Sequence, residues 1–202
     1  MNQKKALKQL KELRKYGKKL QLAAEWKEKW KILISTILSA RTRDEKTIEV
    51  SRKLYSKYSS IKSLAKAELK NIETIINGIN YYKTKSRNVK KCAEIIVKEH
   101  KGKIPETFEE LVKLPGVGRK TANVFLAEIG GQAIGVDTHV SYISRKLGWT
   151  KNKTPEKIEN DLKRLFPHSK WRGVNYIVVR FGRTYKSRAE KDKILNIIKN
   201  VN

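Results

Sequence analysis

The segment from Leu114 to Thr121 reads LPGVGRKT and lies between two stretches whose apolar residues recur at helical spacing. Gly116 and Gly118 carry no Cβ, so the chain can turn tightly there and bring backbone N–H groups close to a phosphate oxygen. The segment therefore predicts a phosphate-gripping hairpin between two helices. Lys120 falls in the first turn of the second helix, where the helix dipole disfavours an ammonium and favours the nucleophilic free amine.

Helical spacing of apolar residues extends along nearly the whole chain, and no segment is predicted as a strand. Thr107 with Glu110 has the pattern of a capping box, and Thr154 followed by Pro155 has the pattern of a helix start. The segment from Trp171 to Phe181 is rich in Val and Ile, but its apolar residues fit one helical face. The sequence therefore predicts an all-α fold. The clearest stripes comprise Trp26, Trp30, Leu33, Ile34, Ile37 and Leu38, then Ile48, Leu54, Tyr55 and Tyr58, then Leu69, Ile72, Ile75 and Ile76.

Charge indicates a polyanionic partner. Lys and Arg number 47 against 20 Asp and Glu, a formal net charge of +27. Each phosphate that a protein neutralises releases counterions, so such a chain is expected to bind nucleic acid strongly at low salt. The same composition also fits a biased genome, a ribosome-associated protein or a membrane-surface protein, and charge alone does not choose among them. With 39% apolar content in 202 residues, we expect a folded globule of one large or two small domains.

Hydropathy and cysteine content exclude several classes of protein. The longest apolar stretch, Ile32 to Leu38, is far shorter than the roughly 20 residues that cross a bilayer. The basic N-terminus has no apolar core of a secretory signal behind it, so we expect an intracellular protein, cytoplasmic or nucleoid-associated, without a membrane partner. Cys92 is the only cysteine, which excludes an intrachain disulfide and any site that needs several thiolates. It lies on an apolar helical stripe and is expected to be buried.

Several motifs carry a resemblance to a known family. LPGVGRKTANV, followed by Val136-Asp137-Thr138-His139, resembles the helix-hairpin-helix DNA glycosylases, most closely the endonuclease III branch. The segment from Leu38 to Asp44, LSARTRD, is similar to the LSAQTTD of that family, and Phe181-Gly182-Arg183 is similar to its HGR. The likeness runs from about Ile32 to Phe181, and the motifs stand in the order of the family.

The resemblance implies an architecture of two helical lobes with a DNA-binding cleft between them. One lobe, residues 22–132, would be a six-helix barrel that carries the hairpin. The other, residues 1–21 and 133–202, would combine both ends of the chain. Lys120 and Asp137 would come from different lobes and face each other as the catalytic pair. The implied partner of this monomer is double-stranded DNA that contains damaged bases or abasic sites.

The implied chemistry suits a lysine and an aspartate. Cleavage of an N-glycosidic bond leaves positive charge on the sugar, which a carboxylate stabilises, and a neutral amine can attack C1′ to form a Schiff base. Abstraction of a proton from C2′ then breaks the strand. A phosphate contact is the alternative role for Lys120. Asp137 is also expected to cap the helix from Thr138 to Leu147, and capping is compatible with catalysis because a carboxylate has two oxygens.

Other DNA contacts are implied by the same resemblance. His139 is assigned to DNA rather than to a metal, because no second ligand lies at suitable spacing, and no metal site is expected. The hairpin residues expected to contact DNA are Gly116, Val117, Gly118 and Arg119.

Two residues are expected to fill the space left when a base flips out of the duplex. Arg41 stands where the family usually has the glutamine of LSAQ, and a guanidinium can stack in the gap and hydrogen-bond the orphaned base. Tyr81 stands where the family has a large apolar wedge, with Asn80 as a left-handed substitute for the preceding glycine. Alternatively, Tyr81 is an ordinary half-buried aromatic residue without a role in DNA binding.

The sequence departs from the resembling family after Gly182. Most endonuclease III relatives have four cysteines there that hold an iron–sulfur cluster, whereas the chain after Arg183 has none. We therefore expect no cluster and no other cofactor. A helix whose apolar stripe includes Leu195 and Ile198 would replace the cluster loop, with its lysines contacting phosphates.

These observations predict a DNA repair enzyme that is both a glycosylase for oxidised pyrimidines, thymine glycol among them, and an abasic-site lyase. An 8-oxoguanine-type glycosylase/lyase is the first alternative, because that branch also keeps the lysine, whereas adenine-mismatch and thymine-mismatch relatives lack it. A non-catalytic helix-hairpin-helix DNA-binding protein is the second alternative. Such a protein would need the hairpin but not Lys120 with Asp137.

Overall fold

The computed structural model describes residues 1–201, and within them it contains helices and no strand, so the predicted all-α fold class is confirmed. The segment from Trp171 to Phe181 is helical, as its apolar periodicity predicted. The helices are α1 Gln3–Tyr16, α2 Lys29–Ser39, α3 Asp44–Lys57, α4 Ile61–Ala65, α5 Leu69–Ile76, α6 Tyr82–Glu99, α7 Phe108–Leu111, α8 Arg119–Glu128, α9 Thr138–Lys146, α10 Pro155–Leu165, α11 Trp171–Thr184 and α12 Arg188–Lys199, with a 3-10 turn at His168–Lys170.

The chain divides into two compact units. The central unit is Gln21–Ile129, and the terminal unit combines Met1–Leu20 with the chain from Gly130 onward. The hairpin with Lys120 belongs to the central unit, whereas Asp137 and His139 belong to the terminal unit. Between residues 1 and 201 no helix is long and apolar enough to cross a membrane.

The core of the central unit forms around α2. Every residue from Ile32 to Leu38 is buried, and the helix packs against α3, α6 and α8. Burial of each large aliphatic side chain stabilises the fold by about 1.5–3 kcal/mol. Cys92 is buried in this core, as expected, and burial raises the pKa of its thiol to about 12.

Both ends of the chain contribute to the core of the terminal unit. Helix α1 packs against α11 and α12, while α9 packs against α10, α11 and α12. The buried side chain of Gln9 in α1 accepts a hydrogen bond from Trp149 Nε1 at 2.6 Å and donates one to the carbonyl of Lys199 at 3.4 Å. The first and last helices are therefore tied to each other through polar bonds as well as apolar contacts.

Helix α12 is an integral part of the terminal unit. Leu195 and Ile198 are buried against the core. Asp192 accepts hydrogen bonds from the Tyr142 hydroxyl and from Lys146 Nζ, the latter at 2.9 Å. Because Tyr142 and Lys146 both lie on α9, these bonds attach α12 to the helix that Asp137 caps.

Two predicted helix starts differ in detail. Thr107 caps α7: its hydroxyl accepts from the Glu110 N–H at 3.4 Å and donates to the Glu110 carboxylate at 2.6 Å. Thr154 precedes α10 with Pro155 as the first helical residue, but its side chain makes no capping hydrogen bond. Proline therefore marks this start through its fixed φ rather than through a side-chain cap.

Candidate active site

The hairpin of the central unit connects α7 to α8 through a tight turn. The N–H of Leu114 donates to the Leu111 carbonyl and that of Val117 to the Leu114 carbonyl, both at 3.0 Å. Helix α8 then starts with Gly118 as its N-cap. The first N–H groups of a helix have no acceptor within it and carry the positive end of its dipole, so the hairpin presents an anion-binding end.

Gly116 and Gly118 contribute to the turn in different ways. Gly116 has φ +81, and a Cβ there would lie 3.0 Å from both Ile37 Cγ2 and Asn88 Cβ. Its lack of a side chain is thus required by the turn and by close packing. At Gly118, φ is −88 and a Cβ would meet nothing within 4 Å. Glycine at that position leaves open space in front of the helix N-terminus.

Val117, which was predicted as a DNA contact, also has a role in the fold of the hairpin. Its side chain is only 4% exposed and belongs to the core of the central unit, and its N–H is bonded within the turn. We therefore assign Val117 to the fold of the hairpin. The residues of this turn that reach the surface are Gly116, Gly118 and Arg119.

Lys120 is the second residue of α8 and is half-buried, in the first helical turn as expected. Its neighbour Arg119 is exposed, with its guanidinium 5.3 Å from the centre of the Phe108 ring. The arginine thus lies against the preceding helix α7, while the lysine occupies the position at which the dipole disfavours an ammonium.

Asp137 caps α9 in the terminal unit. Its Oδ1 accepts a hydrogen bond from the Val140 N–H at 2.8 Å, so the expected capping role is confirmed. Capping fixes the carboxylate at the positive end of the α9 dipole, where a negative charge is favoured.

His139 is the second residue of α9 and lies half-buried against α11. A Cβ at Gly182 would lie 2.5 Å from its Nδ1, so only glycine permits this approach. Burial lowers the pKa of the His139 imidazole, partly opposed by the nearby Asp137 carboxylate. The glycine of the FGR motif therefore has a packing role that the sequence did not reveal.

Arg41 and Tyr81, which lie far apart in sequence, are adjacent in the central unit. The Cζ atom of Arg41 lies 5.3 Å from the centre of the Tyr81 ring, and the Tyr81 side chain is exposed. Asn80 joins the same group, because its Nδ2 donates to the Arg41 carbonyl at 2.8 Å. The two side chains expected to fill the gap in DNA thus form one cluster.

The backbone of this cluster corrects one prediction. The left-handed residue is Tyr81 itself, with φ 58, whereas Asn80 is absent from the positive-φ residues. Arg41 is also left-handed, with φ 54. Asn80 therefore does not stand in for a glycine; its amide braces the Arg41 loop instead.

Lys85 was missed by the sequence analysis. It is 6% exposed, and its Nζ donates to the Leu38 carbonyl at 2.7 Å and to Thr42 Oγ1 at 2.8 Å. Burial lowers the pKa of its amine to about 8. The available signal was its position on the apolar stripe of α6 with Val89 and Cys92, which is unusual for a lysine.

Metal ligands are not clustered in the described part of the chain: no group of three or more His, Cys, Asp or Glu residues is placed to hold an ion.

The helical fold and the glycine-containing hairpin define a helix-hairpin-helix protein, and comparison with known proteins specifies the family. Residues 34–168 match the model of the HhH-GPD superfamily base excision DNA repair protein. Endonuclease III of Thermotoga maritima is 44% identical over 155 residues, which cover 76% of this chain and 73% of that protein. Endonuclease III of Synechocystis is 39% identical over 154 residues, 75% of this chain and 70% of that protein.

A solved structure of a trapped endonuclease III–DNA covalent intermediate is also similar, with a TM-score of 0.85 and 30% identity. The match covers 93% of this chain and 90% of that one. The chain belongs to the HhH-GPD superfamily of base excision DNA repair proteins.

Proposed function

We propose that this protein is a base excision repair enzyme of the endonuclease III type, which removes oxidised pyrimidines from double-stranded DNA and cleaves the resulting abasic site. The observation that carries the proposal is the position of Lys120 as the second residue of α8, separated from the Gly-Val-Gly turn only by Arg119. The trapped covalent intermediate between a similar endonuclease III and DNA supports a covalent mechanism.

Lys120 is the proposed nucleophile. The lone pair of its neutral Nζ attacks C1′ of the damaged nucleotide, and the N-glycosidic bond breaks as the base leaves with the bonding pair and takes up a proton. Opening of the sugar ring gives an iminium, the protonated Schiff base between Nζ and C1′. A base then removes a C2′ proton, and the electrons of that C–H bond expel the 3′ phosphate. Hydrolysis of the imine releases the lysine.

Asp137 is the proposed electrostatic partner on the same nucleotide. Its Oδ1 is engaged by the Val140 N–H, which fixes the orientation of the carboxylate. We assign Oδ2 to the sugar, where positive charge develops as the base leaves. In this arrangement the N-cap bond is part of the preorganisation of the catalytic group.

DNA binding is supported by the net charge of +27 and by the open space at Gly118 in front of the α8 N-terminus. Gly116, Gly118 and Arg119 are the proposed phosphate contacts of the hairpin. His139 is the proposed DNA contact of the terminal unit. We further propose that the protein acts as a monomer inside the cell, in the cytoplasm or on the nucleoid.

An iron–sulfur cluster does not fit this chain. Such clusters are held by several cysteine thiolates. The single cysteine, Cys92, lies in the core of the central unit, and burial raises its pKa to about 12, which disfavours the thiolate. We propose that no cluster forms. We further propose that α12, which follows Ser187, replaces the cluster loop in the structure of the terminal unit. Elemental analysis of the purified protein should therefore detect no stoichiometric iron.

The covalent step is tested by borohydride reduction on a duplex with one abasic site. Wild-type protein should cross-link to the DNA, and Lys120→Ala should not, because the substitution removes the proposed nucleophilic amine. Lys113→Ala, which removes an exposed lysine of the same hairpin, is the matched control and should cross-link normally. If wild-type protein fails to cross-link, the lyase proposal is wrong and the non-catalytic DNA-binding alternative is favoured.

The substrate class is tested with duplexes that each carry one lesion. Thymine glycol and other oxidised pyrimidines should be excised faster than 8-oxoguanine when single-turnover rates are compared. Faster excision of 8-oxoguanine would replace the proposed substrate class with the first alternative, while leaving the lysine mechanism intact.

A further inference from the structure

Lys85 is a buried amine in a position where the fold alone calls for an apolar side chain. It occupies the buried face of α6, in line with Val89 and Cys92, and the whole residue is 6% exposed. Burial of an ammonium costs several kcal/mol unless its environment compensates. The compensation comes from two hydrogen bonds, to the Leu38 carbonyl and to Thr42 Oγ1.

Both acceptors belong to the segment that presents Arg41. Leu38 lies in the last turn of α2, where backbone carbonyls receive no hydrogen bond from within the helix. The negative end of the helix dipole also favours a cation there. Thr42 directly follows Arg41 in the loop to α3. One ammonium therefore fixes the loop on both sides of the arginine.

The other end of this connection is Tyr81. Lys85 is four residues further along the chain, and its backbone N–H donates to the Tyr81 carbonyl at 3.0 Å, which closes the first turn of α6. Asn80 adds a second link through its bond to the Arg41 carbonyl. The start of α6 thus holds the Arg41 loop through side-chain bonds from two residues, Asn80 and Lys85.

Backbone strain explains why such bonds are needed. Arg41 and Tyr81 both have positive φ, which strains a non-glycine residue and is retained only where the surrounding structure fixes it. The bonds from Asn80 and Lys85 fix the backbone on both sides of Arg41, so they hold its guanidinium beside the Tyr81 ring.

We infer that Lys85 is a positioning residue that holds Arg41 and Tyr81 together as one preformed wedge for insertion into the duplex. The inference rests on the proposed glycosylase function. A preformed wedge loses less conformational entropy when it enters the stack than two independent side chains, so the flipped state is reached at lower cost. Lys85 itself touches neither the sugar nor the base.

The test compares Lys85→Met with Lys91→Met, which removes an exposed lysine from the same helix. Methionine is an unbranched side chain one atom shorter than lysine, and it cannot donate either hydrogen bond. Lys85→Met should slow excision of a damaged base by about ten- to hundredfold, the range expected when a reacting group is misplaced slightly. Cleavage and borohydride trapping at a preformed abasic site, which depend on Lys120, should change by less than about threefold.

A readout specific to positioning is the preference for the base opposite the lesion. If Arg41 reads the orphaned base, Lys85→Met should reduce the ratio of excision rates between the best and worst opposite bases, while Lys91→Met leaves it unchanged. Lys85→Arg, which retains a cation and donors, should restore part of this preference.

Two further variants separate positioning from stability. Asn80→Ala removes the second link at an exposed residue, so it should lower excision and opposite-base preference in a protein with an unchanged melting temperature. Thr42→Val removes one acceptor, and combining it with Lys85→Met should add little to the effect of Lys85→Met alone, because the two substitutions break the same bond.

The outcomes distinguish this inference from the proposed function. Absence of wild-type trapping would overturn the lysine mechanism. The positioning role alone would be overturned if wild-type trapping is normal and Lys85→Met lowers excision and abasic-site cleavage in equal proportion. It would also be overturned if Lys85→Met leaves both rates unchanged.

Discussion

The guanidinium of Arg41 lies over the aromatic ring of Tyr81, 5.3 Å from its centre, and both residues have left-handed backbone conformations. A cation over an aromatic face contributes about 0.5–1 kcal/mol at an exposed site, less than the strain of two such conformations. The hydrogen bonds that Asn80 and Lys85 donate to the Arg41 loop therefore supplement the stacking.

Arg41→Ala should slow base excision by about ten- to hundredfold, because a stacking or base-edge contact contributes about 1–3 kcal/mol. Binding to undamaged duplex should be spared, since a wedge acts only after a base leaves the stack. The measurements are single-turnover excision and duplex affinity over a range of salt concentrations. A phosphate contact would instead weaken all duplexes alike and lower the salt slope by about one unit, which would contradict the wedge role.

The contact between Arg41 and Tyr81 could not be predicted from the sequence. Each residue was identified singly, from its place in a motif, but their contact depends on backbone angles that side-chain identity does not encode. The left-handed position was predicted at Asn80 because asparagine tolerates it, whereas the structure places it at Tyr81, with φ 58. Local propensity was overridden by packing.

Helix positions, by contrast, could be predicted well, because apolar periodicity reflects burial directly. Leu33, Leu54 and Ile72, one from each predicted stripe, lie in the observed core, whereas Trp26 precedes α2 and Leu69 is only partly buried. Periodicity shows only that Lys85 lies on the apolar stripe of α6 and does not reveal what the lysine binds. It is one of 47 basic residues, and its role depends on two acceptors more than forty residues away in the chain.

Gly116→Ala should destabilise the protein by about 1–3 kcal/mol, because a Cβ would be strained at positive φ and would crowd Ile37 and Asn88. Gly118→Ala should change the free energy of unfolding by less than about 1 kcal/mol, since its φ is ordinary and its surroundings are open. Urea unfolding measures both effects.

DNA affinity gives a second test of the role of Gly118. Gly118→Ala should weaken duplex binding, because its methyl group occupies the space through which a phosphate approaches the α8 N-terminus. If the Gly118→Ala variant binds DNA with normal affinity, the space in front of the α8 N-terminus is not a phosphate site.

Asp192→Asn should loosen α12, because the neutral amide loses the ion pair with Lys146 and accepts more weakly from Tyr142. Hydrogen exchange should become faster in α12 and in α9, the helix that Asp137 caps. Glu190→Gln, an exposed acid on the same helix, is the charge-matched control. Unchanged exchange in Asp192→Asn would show that apolar packing by Leu195 and Ile198 is sufficient.

The pH dependence of stability gives an independent measure of Lys85 burial. Burial lowers the pKa of its amine from 10.5 to about 8 in the folded protein, so between these values the unfolded chain binds more protons than the native state. The free energy of unfolding contributed by this site should therefore rise with pH from about 8 to about 10.5 and stay flat below pH 8. Its steepest slope is about 1.4 kcal/mol per pH unit for one proton.

Lys85→Met lacks this titrating group, whereas all other ionisable residues remain. The stability of the wild type relative to Lys85→Met should thus increase from pH 8 toward pH 10, as measured by urea unfolding at each pH, with Lys91→Met examined in parallel. A difference that is constant or that falls over this range would mean that water or the Leu38 and Thr42 oxygens stabilise the ammonium fully, and that the amine is not desolvated in the native state.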